Sequence, residues 1–225
     1  MTWLRDFWDT VRDHPSAVLL AVQLGSVIVY PFTDSTSAGR TIVSVIGLLV
    51  LFLAVLAVRR TPAMNIVSIV IGIPAVVLTV VEVVRPDVPA VELLSGFTHA
   101  VFYFYTAWAL IRYMFADNWV TRDELFATGA CFTVVAWAFA YLYSAIQVIW
   151  PIAFIGAAPD PETPLSWMEL LFLSFTTMTN TGLSDIVPGT AHARSFIMLE
   201  QLAGMNYVAL VVARLLGLTL ARFRR

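Results

Sequence analysis

The sequence predicts an all-α integral membrane fold: six transmembrane helices plus a short re-entrant helix and loop. Three observations predict it. Of 225 residues, 60% are apolar or aromatic and 12% are charged, with a mean hydropathy of +0.84, whereas a soluble domain has about a quarter of its residues charged. Apolar runs of roughly twenty residues, the length of helix that crosses a bilayer core of about 30 Å, recur between charged and Pro/Gly breaks. One stretch, 151–190, is too long for a turn and too interrupted by proline and glycine to span.

The same composition excludes several functions. The thirteen basic residues are all arginine against fifteen acidic ones, giving a net charge of −2, so no basic surface for nucleic acid is expected. Cys131 has no partner for a disulfide, a thiolate metal site or a CxxC pair. The three histidines, His14, His99 and His192, are too few and too scattered for haem or di-metal chemistry. No Ser/His, paired-Asp or metal-ligand arrangement sits at a useful helical spacing, so an enzyme is not expected. No organic cofactor is expected either.

In chain order, residues 2–13, TWLRDFWDTVRD, place Trp3, Leu4, Phe7, Trp8 and Val11 on one helical face and Arg5, Asp6, Asp9, Arg12 and Asp13 away from it. That is the pattern of a helix lying in the interface over residues 1–14, and not of a cleavable signal peptide. Four spans follow as a peripheral domain over 15–115: Pro15–Phe32, Thr41–Val58, Pro62–Val84 and Val88–Met114. A polar stretch, ADNWVTRDE, opens a second unit over 116–225. Its fifth helix runs from Leu125 to Trp150 and its sixth from Ala191 to Leu220. The chain then stops at ARFRR, so no soluble sensing domain is expected.

Six spans put both termini on one side. Arg5, Arg12, Arg59, Arg60, Arg112, Arg122, Arg214, Arg222, Arg224 and Arg225 share that side, against Arg40, Arg85 and Arg194 on the other. The bias predicts cytosolic termini in the cell (plasma) membrane and puts 151–190 outside. The fourth span carries only Glu92, His99 and Arg112, so it lacks the arginine series that a voltage sensor needs. His99 reads as a packed, hydrogen-bonded histidine, and Glu82 and Glu92 as outer-end carboxylates near headgroups.

Residues 163–185 read TPLSWMELLFLSFTTMTNTGLSD. Thr163 and Pro164 suit a helix start, and Ser166 with Glu169 has the capping-box spacing. The helix that follows, to Thr177 or Met178, is too short to cross. It ends in a Thr/Asn/Gly/Ser run that is costly to expose to lipid, and such backbone is tolerated at membrane depth only where it lines a watery path or is buried in protein. A loop that dips in and returns satisfies both constraints.

This segment resembles the pore loop of tetrameric potassium channels, whose filter usually reads TVGYG followed by Asp. With Gly182 on the first filter glycine, Asn180 falls on Thr, Thr181 on Val, Leu183 on Tyr, Ser184 on the second Gly and Asp185 on Asp. Without a gap, Pro188 falls on the usual proline after the filter and Gly204 on the inner-helix glycine. A closer likeness is to small bacterial six-helix members of this family. Val120, Thr121, Asp123, Gly129 and Ala130 match their fifth-helix motif. Ala193, Arg194, Ser195, Met198, Leu199, Glu200, Gly204, Tyr207, Ala209, Val212, Ala213, Arg214, Leu215 and Gly217 match that of the sixth.

The resemblance implies a homotetramer in the bilayer, with one loop from each chain around a shared pore. A filter at Thr179, Asn180, Thr181, Gly182, Leu183, Ser184 and Asp185 would hold K+, with Na+ as the other candidate, mainly through the backbone carbonyls of 179–183. Glu200 and Gly204 are expected as inner-helix hinge or pore-lining residues; Glu200 also reads as a support of the filter from behind or, equally, as a protonated, hydrogen-bonded packing residue, and Gly204 as a close-packing site. Asp185, with Asp160 and Glu162 near it, makes an electronegative mouth. Three departures bear on selectivity. Ser184 costs about 1 kcal/mol or more if it must adopt the positive φ of the second glycine. Leu183 lacks the hydroxyl that braces the filter against a pore-helix aromatic such as Trp167, and Asn180 replaces the threonine of the innermost ring. The expected function is a non-voltage-gated, potassium-channel-like cation channel that conducts passively. A weakly selective or sodium-permeable channel and a non-conducting pore-fold protein are the alternatives.

Overall fold

In a computed structural model of the chain, the described residues are 14–32, 47–50, 52–55, 62–85, 88–116, 121–157, 160 and 163–223. The interfacial helix expected over 1–14 lies outside them apart from His14. Of the second expected span, 47–50 and 52–55 are described, and both are helical.

The long helices are α1 (Pro15–Val29, continued by a 3-10 turn at Tyr30–Phe32), α2 (Pro62–Val84), α3 (Pro89–Met114), α4 (Arg122–Ile149) and α6 (Ala191–Phe223). The short helix α5 covers Trp167–Met178. Proline opens three of them, where its fixed φ suits the first turn and its missing N–H costs nothing. Two two-residue strands, β1 (Phe154–Ile155) and β2 (Val187–Pro188), pair antiparallel and join the segment after α4 to the segment before α6.

Four stretches among the described residues are long and apolar enough to cross a membrane: Pro15–Phe32, Ile66–Val84, Arg122–Ile149 and Ala191–Arg214. Helix α3 has the length, 26 residues, but is not among them. Of the six expected spans, four are met among the described residues; the second, Thr41–Val58, lies mostly outside them, and for α3 the reason is physical. Helix α3 lies between α2 and α4, where Ser95, His99 and Thr106 are buried against protein and need no apolar character to avoid lipid.

Helix α4 is the hub, packing against α1, α3, α5 and α6 of the same chain. Its buried side is rich in alanine, with Ala127, Ala130, Ala136, Ala138, Ala140 and Ala145 all inaccessible, and small residues let helices approach closely in a bilayer. Hydrogen bonds then fix which helix docks where. Asp123, buried near the start of α4, accepts from Ser16 N (3.1 Å), Ser16 Oγ (3.0 Å) and Tyr113 Oη (3.2 Å). The carboxylate thus does for α1 what a capping side chain does, since His14 at its N-cap offers no side-chain bond. Deeper in the same pair, Thr133 Oγ1 donates to Gln23 Oε1 at 2.7 Å.

Helices α2 and α3 are joined by polar contacts where the C-terminal part of α2 meets the N-terminal part of α3. His99 lies 3.0 Å from Thr79 Oγ1 and 2.8 Å from the Ser95 carbonyl, and stacks on Tyr141 with ring centroids 4.5 Å apart. It is packed and hydrogen-bonded. Glu82 accepts from Ser95 Oγ (2.7 Å) and Glu92 from Ser144 Oγ (3.4 Å), so both carboxylates face helix hydroxyls.

Candidate functional site

Of the two starts that the sequence offers for α5, the structure uses the Ser166–Glu169 box and not Thr163–Pro164, which stay outside the helix. Ser166 is the N-cap, its Oγ accepting from Glu169 N while the Glu169 carboxylate accepts from Ser166 N at 2.7 Å, a complete capping box. Gln147 on α4 holds the approach to this helix: its Nε2 donates to Leu165 O (3.0 Å) and its Oε1 accepts from Leu165 N (3.1 Å). Sequence reasoning missed Gln147. A lone buried glutamine near a helix end was the available signal, because only a partner of matched geometry makes such a group tolerable in a bilayer.

Beyond Met178 the backbone leaves the helix without losing contact with it. Thr179 N donates to Phe175 O (3.0 Å), Asn180 N to Thr177 O (3.0 Å), and Thr181 N and Gly182 N both to Thr176 O (3.1 and 3.4 Å). These donors face back toward α5, whose last carbonyls carry the negative end of the helix dipole. Residues 179–183 and Asp185 are exposed in the single chain and Ser184 is half-buried. The candidate filter therefore forms one continuous non-helical stretch at the end of α5.

Positive φ occurs at Asn180 (55°) and Gly182 (65°). At Gly182 no Cβ opposes that conformation. The expectation for Ser184 is corrected. Ser184 does not adopt positive φ; its N–H donates to Gly182 O (3.0 Å) and its Oγ accepts from Ile186 N (3.1 Å), a hydroxyl-stabilised turn open to serine but not to glycine. Asn180 carries the left-handed residue instead, and asparagine tolerates it better than most side chains. The bracing aromatic is also elsewhere: Trp167 packs on α4, 5.0 Å from the Trp137 ring and 5.5 Å from that of Tyr141, while Leu183 is exposed.

The outer end of the stretch is anchored by Pro188, which pairs with Phe154 across β1 and β2, and by Gly189 N donating to Ala153 O (2.9 Å). Helix α6 runs unbroken past Gly204. A Cβ at Gly204 would collide with the Met178 carbonyl oxygen and come 2.9 Å from Met178 Cα, so glycine is needed there for the inner helix to seat against the end of α5. Glu200, one turn earlier, is fully buried. Its Oε2 accepts from Tyr143 Oη on α4 and its Oε1 from Ser174 Oγ on α5. Its side chain turns into the protein, away from the open flank of α6.

At the inner end α6 is held by Tyr207 Oη donating to Thr128 O (2.5 Å) and by an Arg214–Glu124 ion pair at 3.3 Å, with the guanidinium 5.0 Å from the Phe115 ring. Among the described residues no group of His, Cys, Asp and Glu has the arrangement of a metal site. What the site can offer a cation is backbone carbonyls and the exposed Asp185 carboxylate.

No curated protein and no solved structure matches the chain. A family model described as ion channel does match, over residues 97–220, more than half of the chain. The match takes in the second half of α3, all of α4 and α5, the candidate filter and nearly all of α6, so the elements that surround residues 179–185 are those the family shares. With helices able to cross a membrane arranged around that loop, this membrane protein belongs to the ion channel family.

Proposed function

We propose that the protein is a potassium-channel-like cation channel, not gated by voltage, in which four copies surround one pore and ions pass down their electrochemical gradient. The observation that carries this reading is the stretch 179–185: a short capped helix held between α4 and α6 ends in an exposed turn with positive φ at Asn180 and Gly182. Four such turns about an axis would supply rings of carbonyls that replace a monovalent cation's hydration shell. The open flank of α6 supports assembly, because Met198, Leu199, Leu202, Met205 and Val208 stand about half exposed in the single chain. Six spans follow from the recurrence of apolar runs, and cytosolic termini of a plasma-membrane protein from the arginine bias. The single Arg112 of α3 supports the absence of a voltage sensor.

A weakly selective or sodium-permeable channel is the second reading, favoured by Leu183, which no described aromatic braces. Purified protein in liposomes loaded with potassium, then with sodium, separates the two by concentrative uptake of a tracer cation. Uptake driven by potassium alone is the expected result. Uptake with both ions establishes the second reading, and uptake with neither, in protein shown to be tetrameric, removes conduction itself.

A further inference from the structure

The carboxylate of Glu200 is fully buried where three elements meet, and it touches the supports of both ends of the 179–185 stretch. Toward the inner end, Oε1 accepts from Ser174 Oγ, one turn before Met178 in α5. The next turn of α5 includes Thr176, whose carbonyl receives the N–H groups of both Thr181 and Gly182. Toward the outer end, Oε2 accepts from Tyr143 Oη, and the Tyr143 ring packs 4.8 Å from that of Phe154. Phe154 is the β1 residue paired with Pro188, three residues beyond the stretch.

Two contacts along α6 share one register with α5. Glu200 meets Ser174, and Gly204 meets Met178, four residues further in both helices. Gly204 sets how close the helices come and Glu200 sets how they are rotated and shifted, since only a hydrogen-bonding pair is directional. Ser174 Oγ also lies 2.9 Å from Ala136 O on α4, so its single proton has two acceptors in reach and its rotamer is held from two sides.

The geometry points to Glu200 as a positioning residue for ion selection: it touches no ion, but by gripping Ser174 and Tyr143 together it fixes the spacing of the carbonyls of residues 179–183. This rests on the reading of that stretch as the filter. A filter discriminates between ions of similar size only as far as its carbonyls hold their places. Removal of the carboxylate takes the acceptor from the buried Tyr143 hydroxyl, leaves Ser174 with Ala136 O alone, and frees α5 to shift.

The test compares wild type with Glu200→Ala, Glu200→Gln and Ser174→Ala, each confirmed as an assembled oligomer by size-exclusion chromatography. Glutamine offers one acceptor and one donor, so it keeps a contact to both hydroxyls while Ser174 donates to Ala136. The potassium-to-sodium uptake ratio is expected to fall about tenfold in Glu200→Ala, less in Ser174→Ala, and to stay within about twofold of wild type in Glu200→Gln. An unchanged ratio in Glu200→Ala overturns the proposal, as does a Glu200→Gln ratio as low as that of Ser174→Ala. Hydrogen exchange of the 179–184 amides gives a readout that needs no conduction. Exchange about tenfold faster in Ser174→Ala, with α1 unaffected, supports the brace even if wild type passes no ion; equal exchange overturns it. Should Glu200→Ala fail to assemble, Ser174→Ala and Glu200→Gln carry both comparisons.

Discussion

Helices α4 and α6 flank the same short helix, yet 61% of the α4 span is buried within the chain and only 17% of the α6 span. Helix α4 is surrounded, with its alanines facing four neighbours. Helix α6 is buried along one narrow stripe, Ala193, Glu200, Gly204 and Tyr207, with large apolar side chains on the rest of its surface. The difference separates two jobs. A helix that organises a subunit spends its surface on its own chain, whereas α6 keeps most of its surface free of its own chain, as the proposed pore role would require. Its few internal contacts then have to be exact in geometry, which is why the stripe holds a glycine, a carboxylate and a tyrosine hydroxyl.

Substitutions that invade the α6 stripe have the largest expected effect. Gly204→Val puts a branched side chain against the Met178 carbonyl, a backbone atom that cannot rotate away. A cost of about 3 kcal/mol or more is expected, seen as a lowered midpoint in thermal unfolding monitored by size exclusion, together with loss of cation uptake. Retained stability and uptake would show that α6 is free to stand off from α5.

On the α4 side, Asp123→Ala removes the acceptor for Ser16 N, Ser16 Oγ and Tyr113 Oη. It should destabilise the protein by about 2–3 kcal/mol and raise hydrogen exchange in the first turns of α1, while exchange across α5 stays near wild type. Gln147→Ala should cost somewhat less, about 1–3 kcal/mol, because the two Leu165 groups it abandons are neutral. Its exchange signature should appear at the start of α5 and not in α1. These two variants sharpen the view of α4 as two separate docking faces.

The smallest effect on subunit folding is expected on the open flank. Leu202→Ala should change the helicity and unfolding of the subunit by no more than about 0.5 kcal/mol, while lowering the temperature at which the assembled oligomer dissociates. A subunit that unfolds along with the oligomer would show that α6 depends on its neighbours for its own structure.

Much of this arrangement was legible in the sequence. Pro15, Pro62, Met114, Leu125 and the Ser166–Glu169 pair mark helix ends that the structure places within a residue or a few. The loop itself was legible because Thr179, Asn180 and Ser184 cannot face lipid and Gly182 invites positive φ. Helix α3 was legible from its length and ends, Val88–Met114, but less apolar than the other spans, because its polar groups are shielded by other helices, a tertiary fact that no local window contains. Backbone strain was misplaced at Ser184, because the turn closed by its own hydroxyl competes with the glycine-like conformation and wins. The β1–β2 pair was hidden for a similar reason: two residues a side carry no alternation. The partners of Glu200 were invisible too, lying 26 and 57 residues away.

The most direct test of the central claim is the reversal potential across a planar bilayer with potassium on one side and sodium on the other, for wild type and for Asn180→Thr. A reversal potential displaced toward that of potassium, and displaced further by threonine at the innermost candidate ring, is the result expected if residues 179–185 select the ion. A reversal potential at zero in both proteins would contradict potassium selection by this stretch.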